Sequence, residues 1–261
     1  MSSEQRKIVV VGAGSGIGAA TAEHYHRQGD YVLAVDLHPN DTPASRHEQC
    51  DLRDAAAIDG LLERIGSEWD VLAYVAGVPG TAPAHDVLAV NYLGMRLVTE
   101  GMLPRLREGG AIVTIASVAA LGWQQRVEEL AGLLDATDLE TVRAWQDVQD
   151  PAYPVYSTSK QAAIIHAKRL APAAWQKYGV RINTVSPGPT ETPILTDFET
   201  SMGKDVLDMV KATVGRHASV DDIVPVITFL ASPAARWING QDVHVDGGFV
   251  APMAAGAPIQ L

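Results

Sequence analysis

Six short runs of apolar, largely β-branched residues recur along the chain with helix-like segments between them, and this rhythm constrains the fold more than any other feature. The runs are KIVVVG (7–12), YVLAVD (31–36), DVLAYVAG (70–77), AIVTIAS (111–117), VRINTVSPG (180–188) and QDVHVDGG (241–248). Most are too continuously apolar to face water on one side, which is the pattern of strands buried on both faces of a parallel sheet. Segments of helical character fall at 17–28, 86–107, 156–178 and 220–231. Parallel neighbours need crossover connections, so the alternation predicts an α/β architecture, a doubly wound parallel sheet with helices on both faces. No repeat, low-complexity tract or Pro/Ser-rich linker divides the 261 residues, and a single domain over 1–261 is expected.

Charge narrows the partners. A formal net charge of −11 gives no basic footprint for phosphate backbones or anionic lipid, so neither nucleic acid nor a membrane is an expected partner, and small molecules are. The opening MSSEQRK lacks the apolar stretch of a signal peptide and no run reaches the length of a membrane span, so a cytoplasmic protein is expected. The single cysteine, Cys50, excludes an internal disulfide and reads as a small buried hydrophobe. The eight histidines form no HExxH pattern and no metal site is expected.

One segment interrupts the rhythm. Residues 123–150, WQQRVEELAGLLDATDLETVRAWQDVQD, intervene where the next helix is due. Val127, Leu130, Leu133 and Leu134 share one helical face, as do Leu139, Val142 and Trp145, and Thr137 with Glu140 fits a capping box. An inserted helical hairpin is predicted, either a surface appendage covering its own apolar stripe or, with Trp123, a wall of a pocket.

VVVGAGSGIGAAT follows the first run and opens the first helix. Gly12, Gly16 and Gly18 allow a tight turn there and let backbone N–H groups approach a pyrophosphate, whose charge a helix N-terminus stabilises. The spacing is GxxxGxG, whereas the GxGxxG fingerprint would need a glycine where Ile17 stands. Such a turn alone is a weak sign of a nucleotide. Asp36 ends the second run. In isolation it reads as a loop aspartate capping a turn; behind a glycine turn it reads as an acceptor for ribose hydroxyls that repels a 2′-phosphate. Leu37 and His38 follow it in place of an arginine, which favours NAD over NADP. Further on, YSTSK sets Tyr156 and Lys160 one turn apart on the same face of a predicted helix. The pair alone leaves open whether it is surface decoration or chemistry.

Together these motifs resemble the short-chain dehydrogenase/reductase family over nearly the whole chain. Within it they most resemble the bacterial branch of 3-alpha-hydroxysteroid dehydrogenase/carbonyl reductase and coniferyl alcohol dehydrogenases. The resemblance implies a Rossmann-like fold and a catalytic set of Tyr156 and Lys160, Ser117 at the end of IVTIAS, and Asn91 in AVNYLG. It implies NAD binding by Gly12, Ser15, Gly16, Ile17 and Gly18, by Asp36 and Leu37, and by Asp51 and Leu52 in CDLRD. It extends that set to Ala76 and Gly77, to Pro187, Gly188, Thr190 and Thr192 in SPGPTETP, and to Tyr156 and Lys160 themselves. The terminal VDGG around Asp246 also matches. Departures are Val11 where the family has threonine, and Val75 where its Asn-Ala-Gly has asparagine; both missing side chains would mainly support loop and strand geometry. The gap from Ser117 to Tyr156 is 39 residues, far above the family's usual spacing, because of the insert.

A tyrosine with an ordinary pKa near 10 acts as a base near neutrality only if the phenolate gains roughly 4 kcal/mol of preferential stabilisation. A lysine one turn away and a positive nicotinamide ring both supply it. The resemblance therefore implies that Tyr156 exchanges the substrate proton, Lys160 lowers its pKa and binds the nicotinamide ribose, Ser117 orients the substrate oxygen, and Asn91 holds a relay water. It also implies a homodimer or homotetramer and a lid over 190–215. Ile194, Leu195, Phe198, Met202, Leu207 and Met209 in that region read as helix core, or as a lid suited to a hydrophobic alcohol or ketone. The competing readings are an NADPH-dependent acyl-thioester ketoreductase, which Asp36 argues against, and a non-catalytic dinucleotide-sensing module, which retention of Tyr156 and Lys160 argues against.

Overall fold

The apolar runs do form strands, and alternate residues of each supply two separate cores. The structure is a computed structural model and describes residues 5–150 and 152–256; the opening residues 1–4, read above as lacking an apolar leader, lie outside that range. In chain order the elements are Lys7–Val11 (β1), Gly16–Arg27 (α1), Tyr31–Asp36 (β2), Arg46–Gln49 (β3), Ala55–Ile65 (α2) and Trp69–Tyr74 (β4). Ala84–Leu88 (α3), Met95–Met102 (α4), Leu106–Ile115 (β5), Ala131–Asp135 (α5), Leu139–Asp147 (α6) and Val155–Tyr178 (α7) follow. Arg181–Pro187 (β6), Leu195–Met202 (α8), Lys204–Val214 (α9), Val220–Leu230 (α10), Asp242–Val245 (β7) and Ala251–Ala254 (α11) complete the set. All strand pairs are parallel, in the order β3-β2-β1-β4-β5-β6-β7.

Side chains alternate across a strand, so Val9, Leu33, Leu72 and Ile112 pack on one face with α2, α4 and α7. Ile8, Val10, Val32, Val71 and Val113 pack on the other with α1 and α10. A sheet covered on both sides leaves only its strand ends open. The strand order reverses between β1 and β4, which opens a crevice at their carboxyl ends. Among the described residues no helix is long and apolar enough to cross a membrane.

Several elements differ from the sequence reading. The run 70–77 stops being strand at Tyr74, because the amides of Val75 and Ala76 both turn onto the carbonyl of Val11, at 2.8 and 2.9 Å. The run 241–248 is strand only to Val245, after which the Asp246 carboxylate accepts from the amides of Gly248 and Val250, each at 2.9 Å, and closes a turn. The helix predicted over 86–107 is broken into α3, a π-helical stretch Ala89–Gly94, α4 and a 3-10 turn Leu103–Arg105 that contains Pro104. Edge strand β3, RHEQ, has no apolar run to announce it.

The insert is a 3-10 turn, Trp123–Arg126, followed by α5 and α6. The cap of α6 is Asp138, whose carboxylate accepts from the Thr141 amide at 2.7 Å, in place of the predicted Thr137–Glu140 box. Its apolar face is not self-contained. Leu130, Leu133, Leu134, Ala136 and Val142 are buried in the same core as α4 and α7. Arg96 on α4 secures the junction by donating to the carbonyls of Leu134 and Ala136, at 2.8 and 2.6 Å.

Candidate active site

The crevice at the strand ends is a cleft of about 430 Å³, and it gathers residues from seven separate stretches of chain. Every residue assigned above to the dinucleotide lines it: Gly12, Ser15, Gly16, Ile17 and Gly18; Asp36 and Leu37; Asp51 and Leu52; Ala76 and Gly77; Tyr156 and Lys160; Pro187, Gly188, Thr190 and Thr192. Ser117 lines it as well. Asn91 does not.

The glycine turn exists because β1 must pass into α1 in four residues. A Cβ at Gly18 would sit 1.9 Å from the Gly12 carbonyl oxygen, so no side chain fits there. At the start of α1, Ser15 makes no side-chain cap and the first turn holds no carboxylate. The first-turn amides of a helix have no intrahelical acceptor, so this end presents free N–H donors and partial positive charge to the cleft. An anion of pyrophosphate type fits that donor set. Asp36 closes the other side of the turn: its Oδ2 accepts from the Gly14 amide at 2.8 Å and its Oδ1 from the His38 amide at 3.3 Å. Asp51 is gripped by Arg53, whose Nε and Nη2 donate to its two oxygens at 2.9 and 2.7 Å, and this holds its carboxyl below the usual range. Arg53 itself lines the cleft. It was not singled out from the sequence, where an arginine beside a carboxylate carries no positional signal.

The four candidate catalytic residues meet where β5, the π-helical stretch and α7 converge. Ser117 ends the β5 run and starts a short turn, its Oγ accepting from the Ala119 amide at 3.1 Å. Burial pushes the Tyr156 phenol pKa up to about 12, and the neighbouring Ser117 hydroxyl acts in the opposite, weaker sense. Lys160 is 3% exposed, and its Nζ donates to the Ile115 carbonyl at 2.8 Å and stands 5.7 Å from the centre of the Tyr156 ring. Burial lowers its pKa to about 8. The two are therefore on one helix face as the i, i+4 spacing predicts. The Asn91 amide spends its hydrogen bonds on structure. Its Oδ1 accepts from the Val78 amide at 2.8 Å, and its Nδ2 donates to the Val78 carbonyl at 3.0 Å and to Ser159 Oγ at 3.2 Å. A Cβ on Gly77 would lie 3.3 Å from both Asn91 Oδ1 and Lys160 Nζ, so the loop after β4 passes the ammonium at close range.

The region 190–215 divides between the two roles its apolar residues allowed. Leu207 and Val210 are buried, Val210 with Phe249 and Val250. Ile194 and Phe198 line the cleft, and the Phe198 ring meets Tyr156 edge-on at 5.0 Å. Thr81 Oγ1 donates to Asp197 Oδ1 at 3.1 Å and ties α8 to the loop after β4. The Met202 side chain lies outside the described residues. Trp123, expected to face substrate, is not in the cleft; it packs against Ala116, Ala120 and Ile164 behind α7.

Comparison with known proteins fits this geometry. Residues 6–128 match the family model described as short chain dehydrogenase, and residues 141–250 match one described as Enoyl-(Acyl carrier protein) reductase. The chain is 35% identical to coniferyl-alcohol dehydrogenase of Pseudomonas sp., over 95% of this chain and 98% of the relative. It is 33% identical to 3-alpha-hydroxysteroid dehydrogenase/carbonyl reductase of Comamonas testosteroni, over 94% and 97%. The crystal structure of 3-alpha-hydroxysteroid dehydrogenase from Pseudomonas sp. B-0831 complexed with NADH is 30% identical and superposes with a TM-score of 0.82 over 97% of this chain and 100% of that one. With its seven-stranded parallel sheet and glycine-turn cleft, this chain is an oxidoreductase that belongs to the short-chain dehydrogenase/reductase family.

Proposed function

We propose that the chain is an NAD-dependent alcohol dehydrogenase/carbonyl reductase for a hydrophobic substrate, a secondary or aryl alcohol of cyclic, steroidal or aromatic kind. The observation that carries this reading is the convergence of Tyr156, Ser117 and Lys160 in the cleft whose other end holds the glycine turn and Asp36. Free first-turn amides of α1 suit a pyrophosphate, and the Asp36 carboxylate favours ribose hydroxyls over a 2′-phosphate. Bound nicotinamide supplies the carbon that gives or takes the hydride. Tyr156 exchanges the substrate's hydroxyl proton, with Ser117 holding the substrate oxygen and the phenol in one hydrogen-bonded group. The charge of protonated Lys160 favours the phenolate, against the burial that opposes it. Asn91 holds the Val78 loop beside that ammonium. Ile194 and Phe198, both apolar and both lining the cleft, with the Phe198 ring against Tyr156, support a hydrophobic substrate, as do the relatives named for coniferyl alcohol and hydroxysteroids.

The test is a panel of cyclic, steroidal and aryl alcohols, with a linear polyol for contrast, assayed by absorbance of the reduced nicotinamide with NAD⁺ and NADP⁺ in competition. Turnover of a hydrophobic alcohol with NAD⁺ preferred is expected. Preference for NADP⁺, or for the polyol, would overturn the corresponding half of the proposal.

A further inference from the structure

The insert reaches the catalytic helix through one side chain. Arg126, at the end of the 3-10 turn, donates from Nη1 to Thr158 Oγ1 at 3.0 Å and to Gln161 Oε1 at 2.9 Å, both on α7. Its Nε and Nη2 engage both carboxylate oxygens of Glu129, and its guanidinium lies 4.2 Å from the centre of the Tyr153 ring. The side chain is only 12% exposed, and Thr158 and Gln161 are buried. A planar fork with every face used is a fixed joint, and a lysine could not replace it.

The joint sits near the start of α7, where the helix has no side-chain cap. Pro154 is the N-cap of α7 and gives no side-chain hydrogen bond, and the first turn contains no carboxylate. An uncapped helix start lacks the usual partners for its free amides. That first turn carries Tyr156. Thr158 and Gln161 face the insert while Tyr156 faces the cleft, so Arg126 holds the turn from behind. Gln161 extends the joint: its Nε2 donates at 3.4 Å to the carbonyl of Leu121, which ends the turn that Ser117 begins. One guanidinium is thus linked to the segments bearing both hydroxyls.

We propose that Arg126 is a positioning residue that sets the distance between the Ser117 and Tyr156 hydroxyls, and that the insert acts on the reaction through this joint. The inference rests on the reading of Tyr156 as the proton-exchanging group. Among the described residues, Ser117 after β5, Lys160 on α7, Phe198 on α8 and the Gly80 loop face Tyr156, and of these Lys160 carries the charge. Loosening Ser117 from the phenol removes an influence that lowers its pKa.

The experiment compares Arg126→Ala, Arg126→Lys and Glu129→Gln in alcohol oxidation with NAD⁺. Both Arg126 variants are expected to lose about 10- to 100-fold in kcat, as small misplacements of reacting groups do, with NADH affinity within about 2-fold of the parent. The rising limb of the kcat pH profile should move to higher pH, and added guanidinium should partly restore Arg126→Ala. Glu129→Gln, which keeps the Thr158 and Gln161 bonds but loses one of the two to residue 129, should fall between the parent and Arg126→Ala. An unchanged kcat and pH profile in Arg126→Ala, or a loss accounted for by its unfolded fraction alone, would overturn the proposal. If Arg126→Ala does not fold, Gln161→Glu keeps the acceptor for Arg126 and removes the donor to Leu121; the same pH shift is expected, and an unshifted profile overturns the proposal. Tyr156→Phe in the same assay separates the two readings: if it retains turnover, the parent reading fails and this inference falls with it, whereas loss there with unaffected Arg126 variants sinks this inference alone.

Discussion

Lys160 shows how a single side chain is placed against its own solvation preference. Its ammonium is buried with the Ile115 carbonyl as its hydrogen-bond partner, and burial lowers its pKa from 10.5 to about 8. In the unfolded chain the lysine keeps its proton to higher pH, so between these two values the unfolded state binds more protons and stability rises with pH. The gain across that window is about 3 kcal/mol. Cys50 and Tyr156 act in the opposite sense, because burial raises their pKa values to about 11 and about 12. The expected signature is therefore differential: from pH 7 to 10 the unfolding free energy of the wild type, minus that of Lys160→Met, increases by about 2 to 3 kcal/mol in urea titrations. A difference independent of pH would mean that the ammonium is as well solvated in the fold as outside it. That a lysine is held at this cost beside a tyrosine is what distinguishes the pair from the surface decoration its spacing alone allows.

At the scale of elements, the insert is part of the main core. Leu133 is fully buried there, and Leu133→Ala is expected to cost about 2 to 5 kcal/mol in chemical denaturation, whereas a surface appendage would tolerate it within about 0.5 kcal/mol. The sequence made the insert's helices visible and hid what they pack against, because an apolar stripe says that a face is covered and not by what. The same limit explains Trp123, expected in a pocket wall because the insert joins the Ser117 and Tyr156 segments, whose ring instead packs against Ile164 of α7 with Lys168 Nζ 5.3 Å from its centre. Strand β3 was not legible for a different reason: RHEQ at a sheet edge pairs through its backbone alone, in register with Leu33 to Asp36, and its side chains carry no strand pattern. The buried runs were legible because both faces of those strands need apolar residues. Their ends were less so, since hydrogen bonds to Val11 and Asp246, rather than composition, stop β4 and β7.

For the whole molecule, the reversal of strand order between β1 and β4 does what no local motif can, bringing a turn near residue 12, an aspartate at 36 and a helix at 156 to one cleft. The candidate site was readable ahead of the fold because its residue types sit at strand ends, where a parallel sheet must deliver them. Asn91 was expected at the site from the family resemblance alone, and its contacts were not legible, since only the packed chain sets its amide against Val78. The direct measurement of the central reading is transient-state oxidation of the best alcohol by wild type and Tyr156→Phe, with NADH binding followed by fluorescence in both. Loss of at least about 100-fold in the oxidation step with NADH affinity nearly unchanged is the expected result, the size of a general acid–base contribution. Near wild-type oxidation by a folded Tyr156→Phe protein would contradict it.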